Sequence, residues 1–246
     1  MASEVETTPT PKTSTSQNDG PKTATVADPK LVASDQLPSA ETCHQVGNYT
    51  VLDREGSTVP FKDLYSGADS TRRVLVIFIR HFFCGSCQEF VRALAESVRR
   101  DDLLRLPKST SIVIIGCGDP GLIDVYVGET GCPFPIYADP TGKLYDDLAM
   151  AKTLALGSRP EYIRKSMLRI VVESIWQGLW QISSGLATKG GDSSQNGGEF
   201  LFESSKEGEE KQITWCHRMK TTRDHSEIAD LARILDPDCK VLLAKN

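Results

Sequence analysis

The chain has 246 residues, 39% of them hydrophobic and 25% charged, with a formal net charge of −5. That length allows one ordinary domain with extensions or two small ones, and the acidic balance gives no reason to expect nucleic acid or an anionic membrane as partner. No uninterrupted apolar stretch has the length of a membrane span and no charged-then-apolar leader opens the sequence, while seven cysteines, an odd number, are scattered along it; this argues against a disulfide scaffold and for a reducing, cytoplasmic setting.

Residues 1–42 are rich in Thr, Ser, Pro, Lys and Asp and nearly free of large apolar groups. Such a segment cannot bury enough surface to offset its ordering entropy, so it is expected to be a disordered tail, with the folded domain spanning 43–246. The first strand should lie just past Val46. Tyr49-Thr50-Val51-Leu52, then Asp53-Arg54-Glu55-Gly56, then Thr58-Val59-Pro60-Phe61 reads as strand, turn and short strand. Phe61 to Tyr65 suits a brief helix.

Val74-Leu75-Val76-Ile77-Phe78-Ile79 is an apolar, mostly β-branched run, the pattern of a strand buried on both faces. Cys84-Gly85-Ser86-Cys87 follows, and then Phe90, Val91, Leu94, Ala95 and Val98 recur at helical spacing, with Glu89, Arg92, Glu96 and Arg99 on the other face. The reading is strand, tight turn and helix, with Cys84 at the helix N-terminus and Cys87 inside its first turn. Free amides and the positive end of the helix dipole favour an anion there, so a thiol ionises more readily. Cys84, outside the first turn and open to a substrate, is the better nucleophile. Cys87, more covered, is placed to attack a mixed disulfide formed on Cys84. A C-x-x-C after a buried strand and at the head of a helix reads as a thioredoxin-like redox motif. Arg80 and His81 precede the turn, where a cation would stabilise thiolate and a histidine could move a proton. Strand alternation aims the two at opposite faces, so one at most should point to the sulfur.

Ser111 to Gly116 is a second buried strand, parallel and adjacent to the first. Asp119-Pro120 opens a helix running to about Thr130, with Asp119 as N-cap. Gly131 to Tyr137 is extended, Asp139-Pro140-Thr141-Gly142 is a turn, and Leu144 to Met150 a short helix. Pro160 to Ser183 carries the longest helical pattern, with Ile163, Met167, Ile170, Val171, Ser174 and Gly178 on one stripe and Trp176 and Trp180 widening it. It reads as an added core helix, with a binding wall or homodimer patch as the alternative. Glu199 to Glu203 and Gln212 to Met219 form a hairpin, and Asp224 caps a last helix through Ile228, Leu231, Ala232 and Leu235. The central β-α-β followed by a helix, a hairpin and a final helix is the thioredoxin topology: an α/β fold, a mixed sheet flanked by helices, with the long helix at about 160–183 added.

The segment Phe78-Ile79-Arg80-His81-Phe82-Phe83-Cys84-Gly85-Ser86-Cys87 resembles the active-site segment of the AhpC/TSA-type, peroxiredoxin-like 2 family. Phe134 to Pro140, Gln195 to Phe200, and His217-Arg218-Met219 with Asp224-His225 resemble later blocks of that family, in order, across roughly residues 46 to 240. The resemblance implies a thioredoxin-like fold and an antioxidant or thiol oxidoreductase role. It also implies relatives that reduce lipid endoperoxides with thioredoxin as electron donor. Where a typical peroxiredoxin carries a proline and a threonine ahead of its peroxidatic cysteine, this chain has Ile77 and His81, so the usual peroxide-polarising hydroxyl is missing. Where a typical thioredoxin has a proline facing its C-x-x-C, this chain has Gly197-Gly198, expected to leave the sulfurs more open.

The remaining cysteines offer less. Cys117 follows a buried strand and reads as an inert core thiol. Cys132 and Cys216 are secondary candidates for resolving thiols, and no motif surrounds Cys43 or Cys239. His217 and Arg218 are further candidates near the site, with a solvated edge strand as the alternative. A zinc site at Cys84 and Cys87 would need two more ligands, and Cys216-His217 is the one compact pair; adjacent strand residues point apart and cannot both chelate easily. The expected function is therefore a thiol oxidoreductase needing no metal or organic cofactor. Cys84 attacks a peroxide, lipid or disulfide substrate, Cys87 resolves, and a thioredoxin-type or glutathione donor resets the pair. The alternative is a thioredoxin-fold binding or scaffold module with vestigial cysteines.

Overall fold

The computed structural model describes residues 1, 34–66, 73–166, 170, 172–173, 176, 185–186, 188–204, 210–238 and 242. The elements run α1 (Ala40–Gly47), β1 (Thr50–Leu52), β2 (Thr58–Pro60), β3 (Arg73–Ile79), α2 (Gly85–Ser97), α3 (Arg100–Leu104), β4 (Thr110–Cys117), α4 (Ile123–Thr130), β5 (Ile136–Asp139), α5 (Lys143–Asp147), β6 (Gly198–Glu203), β7 (Gln212–Arg218) and α6 (Ile228–Leu235). Short 3-10 helices at Phe61–Leu64 and Pro120–Leu122 complete them.

One seven-stranded sheet organises the chain, in the order β2-β1-β5-β4-β3-β6-β7. β5, β4 and β3 run parallel, β6 and β7 antiparallel to them as a hairpin, and β1 and β2 form an antiparallel extension beyond β5. This is the expected thioredoxin-like mixed sheet. The apolar run of β3 sits at its centre because every one of its side chains must be covered. Alternation sorts them: Leu75, Ile77 and Ile79 join Phe90, Leu94, Tyr126 and Leu231 on one face, while Val74, Val76 and Phe78 join Val46, Phe61, Tyr145 and Phe200 on the other. The first face is covered by α2, flanked by α4 and α6. Glu89, read from spacing as outward-facing, is buried there beneath the charges of Arg92 and Lys165.

Two contacts fix the C-terminal ends of β3 and β4, where the cysteine turn begins. The Tyr145 hydroxyl lies 2.8 Å from the Ile79 carbonyl oxygen and 3.0 Å from that of Ile115, donating between the two strands. A Cβ on Gly197 would stand 1.9 Å from the Phe78 carbonyl oxygen, so the chain entering β6 approaches β3 as only glycine permits.

Several boundaries differ from the pattern. The chain enters the fold before residue 43: Ser39 caps α1 through its side chain, and Asp35 accepts from the Arg218 amide at 2.9 Å. The guanidinium of Arg218 also donates to the carbonyls of Ser34, Gln36 and Leu148. Arg218 is thus a buried clamp rather than a solvated edge residue. Most of the tail, 2–33, lies outside the described residues. The last helix is capped at Glu227 without a side-chain bond, because the Asp224 carboxylate instead accepts from the Lys220 amide in the preceding turn. Of the helix expected over 160–183, residues 160–166 are turns and irregular backbone; Ile170, Val172, Glu173 and Trp176 are helical, and most of the rest lies outside the described residues. Among the described residues no helix is long and apolar enough to cross a membrane.

Two outcomes follow from these contacts. Gly197→Ala should lower stability by about 2–3 kcal/mol, read as a clear drop in thermal midpoint, since backbone rather than a yielding side chain blocks the added methyl. A chain lacking residues 1–42 should melt below one lacking 1–33, because the longer deletion removes three acceptors from the Arg218 clamp.

Candidate active site

The turn from β3 into α2 places the two cysteines as the spacing predicts. Cys84 is the N-cap of α2, and its sulfur accepts from the Cys87 amide at 3.4 Å. The Cys87 thiol donates to the Cys84 sulfur across 2.9 Å. Cys87 in turn accepts from the Arg80 amide at 3.5 Å, tying it to the end of β3. Both thiols are free, a short side-chain rotation from bonding distance.

Arg80 is buried and completes the cluster. Its Nη1 donates to the Cys84 sulfur at 3.5 Å, its Nε to the Gln195 carbonyl at 3.0 Å, and its Nη2 to the Ser193 carbonyl. The segment before β6 therefore aims a fixed cation at the Cys84 sulfur, and the Phe82 N–H bonded to Gly190 O at 3.2 Å holds the other side of the turn. Of Arg80 and His81, one bonds the sulfur, as read, and both lie past the end of β3 at Ile79. Arg80 touches the sulfur, and His81, half-buried, acts on it through charge.

These groups separate the two thiols. The hydrogen bond from Cys87 holds Cys84 well below the usual cysteine range, helped by the charges of His81 and Arg80 and by the Cys87 amide, against a burial that opposes them. Cys87 is pushed well up, first by burial and then by the bond and charge of Cys84. Burial also lowers the basicity of His81, with the Cys84 anion pulling the other way. The arrangement favours a thiolate at Cys84 beside a protonated, donating Cys87.

Exposure is where the expectation fails. Cys84 is 4% exposed and Cys87 fully buried, so the order of cover is as read but Cys84 is not open. Gly197-Gly198 does not open the sulfurs either; the space a side chain would take at Gly197 is filled by β3 backbone. Phe82 closes another side, its ring packed so tightly on Gly116 that a Cβ there would lie 2.4 Å away.

The other sequence candidates lie apart. Cys117 and Cys216 are buried and their thiols pushed up by burial; Cys132, donating to Phe134 O, is pushed up to about 11. Cys43 sits half-buried on α1, and Cys239 lies outside the described residues. His217 bonds the Asp224 carbonyl at 2.7 Å and faces Asp35 at 3.4 Å. Among the described residues no group of three or more His, Cys, Asp or Glu could hold a metal ion. Sequence reading missed the buried pair Glu199 and His225, 2.5 Å apart and both fully covered, with His225 stacked on Phe90 one turn after Cys87. It also missed Tyr126, whose ring meets Phe82 edge-on.

Comparison with known proteins places the chain in a family. A family model described as AhpC/TSA antioxidant enzyme matches residues 94–221, a span that begins after both cysteines. Peroxiredoxin-like 2C of Homo sapiens is 27% identical over 198 residues, covering 77% of this chain and 78% of that protein. Its Takifugu rubripes counterpart is 28% identical over 181 residues, covering 72% of this chain and 74% of its own length. A solved structure, peroxidoxin BcpB of Mycobacterium tuberculosis, is similar with a TM-score of 0.49 at 10% identity, over 83% of this chain and 96% of that one.

The electrostatics set a measurable order. Alkylation of Cys84 against pH should show a midpoint clearly below the roughly 8.5 of a free cysteine, with Cys87 unreactive in the same range. Arg80→Met should raise that midpoint by about one unit or more, since it removes the cation bonded to the sulfur.

Proposed function

This chain belongs to the AhpC/TSA antioxidant enzyme family, and from that premise we propose that it is a thiol-dependent oxidoreductase run by Cys84 and Cys87. The observation that carries the reading is the Cys87 thiol donating to a Cys84 sulfur already bonded by Arg80. Cys84 thiolate attacks the oxidised substrate, a peroxide, a lipid peroxide or a disulfide. With a disulfide, the S–S bond breaks as the mixed disulfide forms, and the departing thiolate takes a proton. Cys87, giving up its proton, then attacks Cys84, breaking its bond to the substrate sulfur, which leaves as a second thiol as the intramolecular disulfide closes. An external thiol donor, a thioredoxin-type dithiol or two molecules of glutathione, returns both sulfurs to the reduced state. Arg80 holds the thiolate, and His81, of lowered basicity, exchanges protons at the turn. No metal or organic cofactor enters, and the reducing setting this requires fits a cytoplasmic protein.

A second reading, a thioredoxin-fold binding module with vestigial cysteines, draws on the exposed Leu154, Leu156 and Trp176. The two part on mutation. In a panel of hydrogen peroxide, organic and lipid peroxides and protein disulfide, with thioredoxin and glutathione as donors, Cys84→Ser should abolish turnover. Cys87→Ser should trap a mixed disulfide, and mild oxidation of the wild type should link Cys84 to Cys87. Turnover unchanged in Cys84→Ser would leave the binding module.

A further inference from the structure

Helix α4 carries a tyrosine that the redox cycle has not used. Tyr126 is 1% exposed, and its hydroxyl has no hydrogen-bond partner among the described residues. Buried polar groups are nearly always bonded, so a donor left unmet in the cluster that holds both sulfurs calls for a partner. The side chain belongs to the same buried cluster as Cys84, Cys87 and Cys132, and its ring stands 5.7 Å from that of Phe82, two residues before Cys84. Burial first, and then the neighbouring sulfurs of Cys87, Cys84 and Cys132, hold the hydroxyl well above the usual tyrosine range, protonated and able to donate.

The donors already at the sulfur are committed. The guanidinium of Arg80 is divided between two backbone carbonyls and Cys84, and the Cys87 amide and thiol both point at Cys84. When a thiolate attacks a hydroperoxide, charge moves onto the departing oxygen, and that oxygen needs a donor of its own.

We propose that the Tyr126 hydroxyl is that donor, a catalytic residue that hydrogen-bonds the leaving oxygen of a small hydroperoxide during attack by Cys84. The assignment rests on Cys84 being the attacking thiol. A sulfur–oxygen bond forms as the O–O bond breaks, leaving Cys84 sulfenic acid and an alkoxide (hydroxide, for hydrogen peroxide). The alkoxide takes the Cys87 proton, passed through the tyrosine hydroxyl, which is itself unchanged. Cys87 thiolate then attacks the Cys84 sulfur and expels hydroxide, which takes a proton from solvent. Thiolate, thiol, hydroperoxide and one proton have become disulfide, alcohol and water. The near-complete cover of Cys84 favours a peroxide as small as hydrogen peroxide.

Tyr126→Phe removes the hydroxyl and keeps the ring on Phe82. Oxidation of Cys84 by hydrogen peroxide, followed in the reduced protein by mass spectrometry of its peptide, should slow by about ten- to a hundredfold, the loss of one hydrogen bond to a charged oxygen. Alkylation of Cys84 should keep its rate and midpoint, and the melt should stay level or rise, since an unmet buried hydroxyl has gone. Wild-type peroxide reactivity in Tyr126→Phe would overturn the proposal. So would equal slowing of alkylation and oxidation, which would make the hydroxyl a partner of the sulfur, or a marked fall in the melt, which would make it structural. A wild-type Cys84 with a lowered alkylation midpoint but no reaction with peroxide would overturn the role of Tyr126 while leaving the attacking thiol intact. An ordinary midpoint would remove the attacking thiol itself.

Discussion

A buried guanidinium joins the sheet, the segment before β6 and the reactive sulfur. Removing a cation from water costs several kcal/mol unless its donors are met and its charge balanced. Arg80 meets two backbone carbonyls, of Ser193 and Gln195, and among the described residues the remaining partner of its guanidinium is the Cys84 sulfur. Carbonyls satisfy donors but bring no net charge. A thiolate at Cys84 brings it, so the burial of Arg80 and the ionisation of Cys84 support each other.

Other contacts serve to keep that geometry fixed. Tyr145 locks the ends of β3 and β4 where the turn begins, and Gly197 lets the chain bearing the two carbonyls lie against β3. On the helix side, Glu199 of β6 pairs with His225, which stacks on Phe90 with rings 4.2 Å apart. Helix α2 is therefore braced from beneath by a buried hydrogen-bonded pair and held at its N-terminus by the turn, and the sulfurs are enclosed rather than presented. The cover makes the electrostatics strong, because charges interact more in a medium drier than water, and it narrows what can reach Cys84.

The centre of this arrangement is legible in the sequence because it is local. The apolar run of β3 and the helical spacing after Cys87 place strand, turn and helix to within about a residue, and the C-x-x-C places both sulfurs at the head of the helix. Helices α1 and α3 are not legible: Ala40–Gly47 is mostly polar and Arg100–Leu104 is a single short turn, so neither shows a periodic face. The ligands of Arg80 are backbone carbonyls more than a hundred residues away along the chain, and a carbonyl carries no residue signature. The partnership of Glu199 with His225, 26 residues apart on a strand and a later loop, shows in no local pattern either. Exposure of Cys84 fails for a related reason: position at a helix N-terminus fixes the dipole and the amides, but the cover comes from a distant segment and from Phe82.

The central claim is that one sulfur, Cys84, is an anion at neutral pH because Arg80 and Cys87 hold it so. Thiolate absorbance in the ultraviolet, followed against pH in the wild type, Cys84→Ser and Cys87→Ser, tests this without any substrate or donor. The account predicts a thiolate signal already present near neutral pH in the wild type and absent from Cys84→Ser. In Cys87→Ser it should persist, since a serine hydroxyl can take the place of the thiol as donor to the sulfur. A low-pH thiolate signal that survives in Cys84→Ser, or its absence from the wild type, would contradict it.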